Sequence, residues 1–237
     1  MCGRFVSTNS PERISAYFGA SFDAEPLGEN YNVAPTNDVL AVVAADAGRA
    51  VRAFHWGLVP TWAKDVKIGS KMINARAETV AEKPAFKGLF AKHRLIVPMD
   101  GFYEWQVVAG QKAKQPMFIH RRDGEPLAVA GLWTTWRDRA LGDDAPWLHS
   151  LTLITTAANA TMAPVHDRMP VLLPASRWDE WLDPANRDVD ALTRLLVPAP
   201  DDLLELYPVS TDVNNVRNKG PELIVPTGGD AEGQLAI

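Results

Sequence analysis

The sequence predicts an α+β chain: one domain on a curved, mostly antiparallel β-sheet or barrel, with a few short flanking helices. Three observations predict it. Short β-prone runs outnumber helical ones, strands and helices do not alternate as in a parallel βαβ fold, and no repeat or linker divides the 237 residues. Ser10 followed by Pro11 and Glu12 reads as a capped helix start running toward Phe18. A loop follows, and Tyr31 to Thr36 is turn-rich around Pro35. Strand-like runs occupy 53–59, 94–97, 101–107, 116–120, 127–133 and 148–155, and a further strand is expected at 171–173. Helical spacing appears at 82–90, at 175–182 after Pro174, and at 189–197, where Asp188 can cap the first turn. The domain is expected to span 2–226. The stretch 227–237, with three glycines and little apolar pattern, reads as a disordered tail.

Composition narrows the function classes. Apolar residues make up 46% and charged residues 22%, so a natively unfolded chain is excluded. The formal net charge of −5 argues against a domain that coats nucleic acid or anionic lipid indiscriminately, although it leaves room for a local basic groove. No apolar run reaches the roughly 18 residues of a membrane span, and the charged start is unlike a signal peptide. A cytoplasmic protein without a membrane partner is expected. One cysteine allows no internal disulfide, and the five histidines are scattered, so neither metal nor cofactor is expected.

That single cysteine is Cys2, which becomes the terminal residue if Met1 is removed. Its α-amine and thiol would then be two nucleophiles on neighbouring carbons. An aldehyde could condense with the amine to an imine, and the thiol could add to the imine carbon and close a five-membered thiazolidine. The same position also suits a small buried hydrophobe.

Charge is unevenly spread. Between Thr61 and Arg94 stand eight basic residues, Lys64, Lys67, Lys71, Arg76, Lys83, Lys87, Lys92 and Arg94, against Asp65, Glu78 and Glu82. Such a segment can line a groove that tracks phosphates, with Trp56 and Trp62 as faces for unpaired bases; it also fits a solvated lysine-rich surface with the tryptophans, Trp56 above all, in the core. Three further clusters have the composition of site chemistry. In an extended chain Asn74, Arg76 and Glu78 share one face. Glu104 lies among Phe102, Tyr103 and Trp105, an environment suited to proton transfer. His166 stands beside Asp167 and Arg168. Each also has a purely structural use, an ion pair for Glu104 and a turn for His166.

Taken together these motifs resemble the SOS response-associated peptidase (SRAP) family. The resemblance rests on Cys2-Gly3-Arg4-Phe5, Asn32-Val33-Ala34-Pro35, Trp56-Gly57-Leu58-Val59-Pro60, Asn74-Ala75-Arg76-Ala77-Glu78-Thr79, Gly101-Phe102-Tyr103-Glu104-Trp105, His166-Asp167-Arg168-Met169-Pro170 and Val213-Asn214-Asn215, in order and at similar spacing. It implies a β-rich α+β domain that binds single-stranded DNA and crosslinks itself to the aldehyde of an abasic site. It also implies catalytic roles for Cys2, Asn74, Glu104 and His166. Cys2 would be the nucleophile after Met1 removal, Glu104 a proton acceptor for its amine, His166 a proton shuttle and Asn74 the residue that fixes the terminus. Arg4, Arg76 and Arg168 would meet phosphates, while Asn32, Pro35 and Trp62 would complete the DNA-binding wall. A one-to-one adduct implies a monomer, associated with the nucleoid when bound to DNA, and a suicidal reaction with a possible lyase side activity. The chain departs from the family at Ala63, where a second aromatic is usual, so Ala63→Trp is expected to tighten single-strand binding. Two other classes start from the same residues: an N-terminal nucleophile amidohydrolase, and a non-catalytic single-strand binding module in which Cys2 is incidental.

Overall fold

The structure, a computed structural model, describes residues 2–142 and 144–227. In chain order the elements are β1 (Phe5–Ser7), α1 (Pro11–Phe18), β2 (Ser21–Phe22), β3 (Asn30–Val33), β4 (Asp38–Ala45), β5 (Gly48–Trp56), β6 (Asn74–Arg76), α2 (Pro84–Phe90), β7 (Arg94–Met99), β8 (Gly101–Gln106), β9 (Gln115–Arg121), β10 (Leu127–Trp136), β11 (Leu148–Ala157), β12 (Arg168–Pro170), α3 (Trp178–Leu182), α4 (Val189–Arg194) and β13 (Leu204–Pro208). Two sheets result. One has the order β13-β9-β8-β1-β3, and the other β12-β11-β10-β7-β4-β5-β2. In the second, β5 also pairs in parallel with β11, through Ser150 opposite His55 and Leu151 opposite Trp56, which closes β11-β10-β7-β4-β5 into a five-stranded barrel.

Period-2 alternation explains why these runs fold this way. Along β4, Val39, Ala41 and Val43 join one core while Leu40 and Val42 join a second, and β7 and β10 divide in the same manner. The first core lies between the two sheets and contains Cys2, Phe5, Trp56 and Phe102. The second lies on the opposite face of the barrel, where Ile14 and Phe18 of α1, Phe86 and Phe90 of α2 and Trp178 and Trp181 of α3 cover it. Strands buried on both faces read as continuous apolar runs. A third cluster, with Val6, Tyr103, Phe118, Val213 and Leu223, backs the five-stranded sheet.

The α1 start is as expected: the Ser10 hydroxyl accepts from the Arg13 backbone N–H at 3.3 Å, Pro11 occupies the first turn, and Gly19 ends the helix at φ 58. Other expectations need correction. The strand expected at 171–173 begins earlier: Arg168–Pro170 pair with β11 as β12, and 171–173 continue against β10, with Leu172 bridged to Val129 and the Ala130 and Leu173 N–H groups bonded to the Val171 and Ala128 carbonyls. The turn-rich stretch is half strand: β3 runs to Val33, and the chain turns only at Pro35 and Thr36. Trp56 is fully buried, with Phe5 at 5.1 Å and its indole N–H on the Ile73 carbonyl, so it offers no face to a base. Arg94 is equally interior, donating to the carbonyls of Phe90, Trp181, Asp183 and Asn186, so it leaves the basic segment for the core. Of the expected tail only Thr227 is described; 228–237 lie outside the described residues.

Candidate active site

β1 sets Cys2 in place. Phe5 pairs with Phe102 and Val6 with Gly101, and the Tyr103 N–H donates to the Arg4 carbonyl at 2.9 Å, so the register carries the residues before Phe5 alongside Glu104 of β8. Alternation along β8 then puts Glu104 on the same face as Phe102, toward the core that holds Cys2, while Tyr103 points to the opposite cluster. Cys2 is fully buried and Glu104 nearly so. Burial pushes the Cys2 thiol above its ordinary range, and the Glu104 carboxylate pushes it further. A thiolate is therefore scarce in this resting site.

The third residue comes from the barrel. Asn74 begins β6, which pairs in parallel with β11 through Leu153, and its side-chain amide donates to the Cys2 carbonyl at 2.9 Å. Its Oδ1 is buried and has no partner among the described residues. Just upstream, Gly57 adopts φ 135, and a Cβ there would stand 2.7 Å from the Gly69 carbonyl oxygen; only glycine permits this crossing, which fixes the path from Trp56 toward Trp62.

Farther along β11 the same ruler positions a charged group. Arg168 of β12 lies opposite Ala157 and forms a bidentate pair with Glu78 at 2.6 and 2.9 Å, while also donating to the Thr155 carbonyl. The Arg168 guanidinium holds the Glu78 carboxyl below the usual carboxylate range. The Arg168 backbone N–H donates to His166 Nδ1 at 2.9 Å, and Asp167 Oδ1 stands 2.8 Å from the same nitrogen. A hydrogen bond from Gln106 of β8 to the Pro164 carbonyl ties the loop preceding His166 to the strand that carries Glu104.

The expected DNA contacts differ in what they present. Trp62 is 65% exposed, and Arg76 is exposed on β6 beside Asn74. Pro35 is half-buried in its turn, where the Thr36 N–H is anchored on the Trp56 carbonyl and Thr36 itself takes φ 73. Arg4 is half-buried, donates to Asn32 and the Val213 carbonyl, and lies 6.0 Å over the Trp105 ring. Asn32 is fully buried, with its amide donating to the carbonyls of Val213, Asn215 and Asn218. It offers no atom at the surface and instead clamps the 213–218 loop under Arg4. Among the described residues no group of three or more His, Cys, Asp or Glu is placed to hold a metal, and no helix is long and apolar enough to cross a membrane.

Comparison with known proteins turns on one finding: a family model described as SOS response associated peptidase (SRAP) matches residues 1–216. The chain belongs to the SRAP family. Abasic site processing protein YoqW of Bacillus subtilis is 42% identical over 227 residues, covering 94% of this chain and 99% of YoqW. Abasic site processing protein YedK of Escherichia coli is 34% identical over 236 residues, covering 95% and 100%. A crystal structure of a Bacteroides thetaiotaomicron protein superposes with a TM-score of 0.84 at 25% identity over 95% of this chain and all of that one. The single α+β domain expected above, a mostly antiparallel sheet and barrel with few helices, is the one found.

Within this SRAP domain the sequence motifs converge unevenly. Cys2, Asn74 and Glu104 meet directly, and His166 and Arg168 form a second group. Sequence reasoning left Glu78 without a role, although it holds the Arg168 fork, and it passed over Arg137 and Trp147 altogether, whose rings and charges carry no motif.

Proposed function

We propose that this SRAP protein binds single-stranded DNA at an abasic site and, once Met1 is removed, traps the sugar aldehyde as a thiazolidine on Cys2. The observation that carries this reading is a buried cysteine one residue from the chain start, held by Asn74 and faced by Glu104. The names of YoqW and YedK supply the abasic site.

The order of steps follows from the thiol's burial. A protonated thiol is a poor first nucleophile, so the Cys2 amine attacks the aldehyde carbon first. Glu104 takes a proton from the ammonium or the adding nitrogen, and one water leaves as the C=N bond forms. The iminium then places positive charge beside the sulfur, which favours the thiolate that burial had suppressed. Sulfur adds to the former aldehyde carbon, and the C=N electron pair moves to nitrogen. The product is the sum of the two reactants less one water. His166 shuttles protons during sugar ring opening, and the free Asn74 Oδ1 accepts from the terminal amine. Arg76 and Arg4 meet flanking phosphates, Pro35 and Trp62 wall the strand, and Arg168 meets phosphate only by sharing its fork with Glu78. Asn32 acts through Arg4.

An amidohydrolase would need the thiolate as its first nucleophile, which the raised Cys2 thiol opposes, whereas in the crosslink the amine attacks first. The test is the chemistry of the adduct. A denaturation-stable protein–DNA species that forms without reductant and survives hydroxylamine supports a thiazolidine. An adduct seen only after borohydride trapping would mean an imine, and retention that is equal for wild type and Cys2→Ser and is lost on denaturation would mean simple binding.

A further inference from the structure

Outside the Cys2 site, the described surface holds a second place with the chemistry of single-strand recognition. A cleft of about 620 Å³ opens between the 61–64 segment and the loop joining β10 to β11. One wall is Trp62 with Lys64; the other is Trp136, Arg137 and Arg139. The Trp136 indole N–H donates to the Ala63 carbonyl at 2.8 Å, which pins the two walls at a fixed separation. Arg137 lies 5.0 Å over the ring of Trp147, itself 60% exposed, so its guanidinium is held over an aromatic face. Asp138, the acid in the cleft, is turned to its own backbone and accepts from the Ala140 N–H. The cleft thus combines an exposed indole, three cations and a preset width.

Its position relative to Cys2 is set by β11. Trp136 pairs with Leu148 on one edge of β11 and Asn74 with Leu153 on the other, five residues on, so the two are offset by roughly 17 Å along the strand direction. Arg76 and Arg168 follow opposite Thr155 and Ala157. β11 itself is buried, so a polynucleotide would reach both places only over the loops and strand ends that flank it.

We propose that this cleft, one wall of which is the Trp62 already assigned to the strand, holds the phosphate of an unpaired nucleotide on one flank of the lesion between Arg137, Arg139 and Lys64. The Arg137–Trp147 pair supplies on the β10–β11 loop the second platform that Ala63 does not. This proposal rests on the DNA-binding reading above but not on the crosslink.

The test uses the full-length protein and oligonucleotides with a tetrahydrofuran abasic site, which has no aldehyde and cannot crosslink. Anisotropy at fixed salt is measured while each flank is lengthened separately from one nucleotide to five. Lengthening one flank, and not the other, is expected to tighten wild-type binding about tenfold, as one stacked base and its phosphate contacts do. Arg137→Ala and Arg139→Ala are each expected to remove most of that gain, and Arg137→Lys, which keeps charge but not the guanidinium, to retain an intermediate part. A wild type indifferent to both flanks, or variants that keep the full gain, would overturn the proposal. Flank-dependent binding without any adduct on a true abasic site would sink the crosslinking reading and leave the cleft standing; an adduct without flank dependence would do the reverse.

Discussion

Removing the Asn74 side chain probes how far geometry at the terminus governs the reaction. In Asn74→Ala the 2.9 Å hydrogen bond to the Cys2 carbonyl is lost, and that carbonyl stays in a buried site without its donor. The net bond contributes about 0.5–1.5 kcal/mol, and an unsatisfied buried acceptor costs about 1–3 kcal/mol. Because the terminus must be held where its amine meets the aldehyde, a loss of about 1–3 kcal/mol from the positioned state slows the reaction about 5- to 150-fold. The assay is single-turnover adduct formation with saturating abasic oligonucleotide, followed on denaturing gels, with the melting temperature measured alongside. Asn74→Asp keeps the shape but places a carboxylate oxygen against the Cys2 carbonyl, so it is expected to be at least as slow. A rate within twofold of wild type for both variants would refute the positioning argument.

Three other outcomes follow from the same geometry. Because burial and Glu104 raise the Cys2 thiol, iodoacetamide at pH 8 is expected to modify it at least about tenfold more slowly in the folded protein than in denaturant, and equal rates would show the thiol to be accessible. Arg94→Met orphans four backbone carbonyls around α2 and α3 and is expected to cost about 3–5 kcal/mol, lowering Tm by roughly 6–20 °C; a shift under about 3 °C would contradict the interior role of this arginine. The Glu78 carboxyl is held below its ordinary range by Arg168, so its contribution to stability is present above the unfolded-state value and is lost as pH falls through the folded-state value. With Glu78 half-exposed and screened by solvent, that contribution is about 0–1 kcal/mol, so the Tm deficit of Glu78→Gln at pH 7 should be small and should shrink as the pH is lowered. A deficit that grows in acid would reverse the sign argued here.

Much of the fold was legible because its signals are local. The α1 cap, the strands at β7 to β11 and the extended Asn74 segment follow from caps and alternation that need no distant partner. What escaped was decided by pairing. The apolar 171–173 pair with β10 as their pattern suggests, but pairing with β11 starts the strand at Arg168, and the alanine-rich β4 became a strand because both its faces are buried. The site divides in the same way. Cys2 and Glu104 drew attention through chemistry visible in single residues, whereas the burial of Asn32, the interior place of Arg94 and the Glu78–Arg168 pair depend on contacts across many residues of chain. Arg137 and Trp147 lie ten positions apart in a loop, and only the hairpin brings ring and guanidinium together.

The central claim is a covalent bond through a liberated terminal cysteine, and intact mass tests it most directly. Wild type and Cys2→Ser are each incubated, without reductant, with a single-stranded oligonucleotide bearing one abasic site. The account predicts a wild-type protein lacking Met1 whose mass rises by that of the oligonucleotide less one water, with no such species for Cys2→Ser. Retention of Met1 in the adduct, or no adduct at all, would contradict it and leave a binding protein in which Cys2 is part of the core.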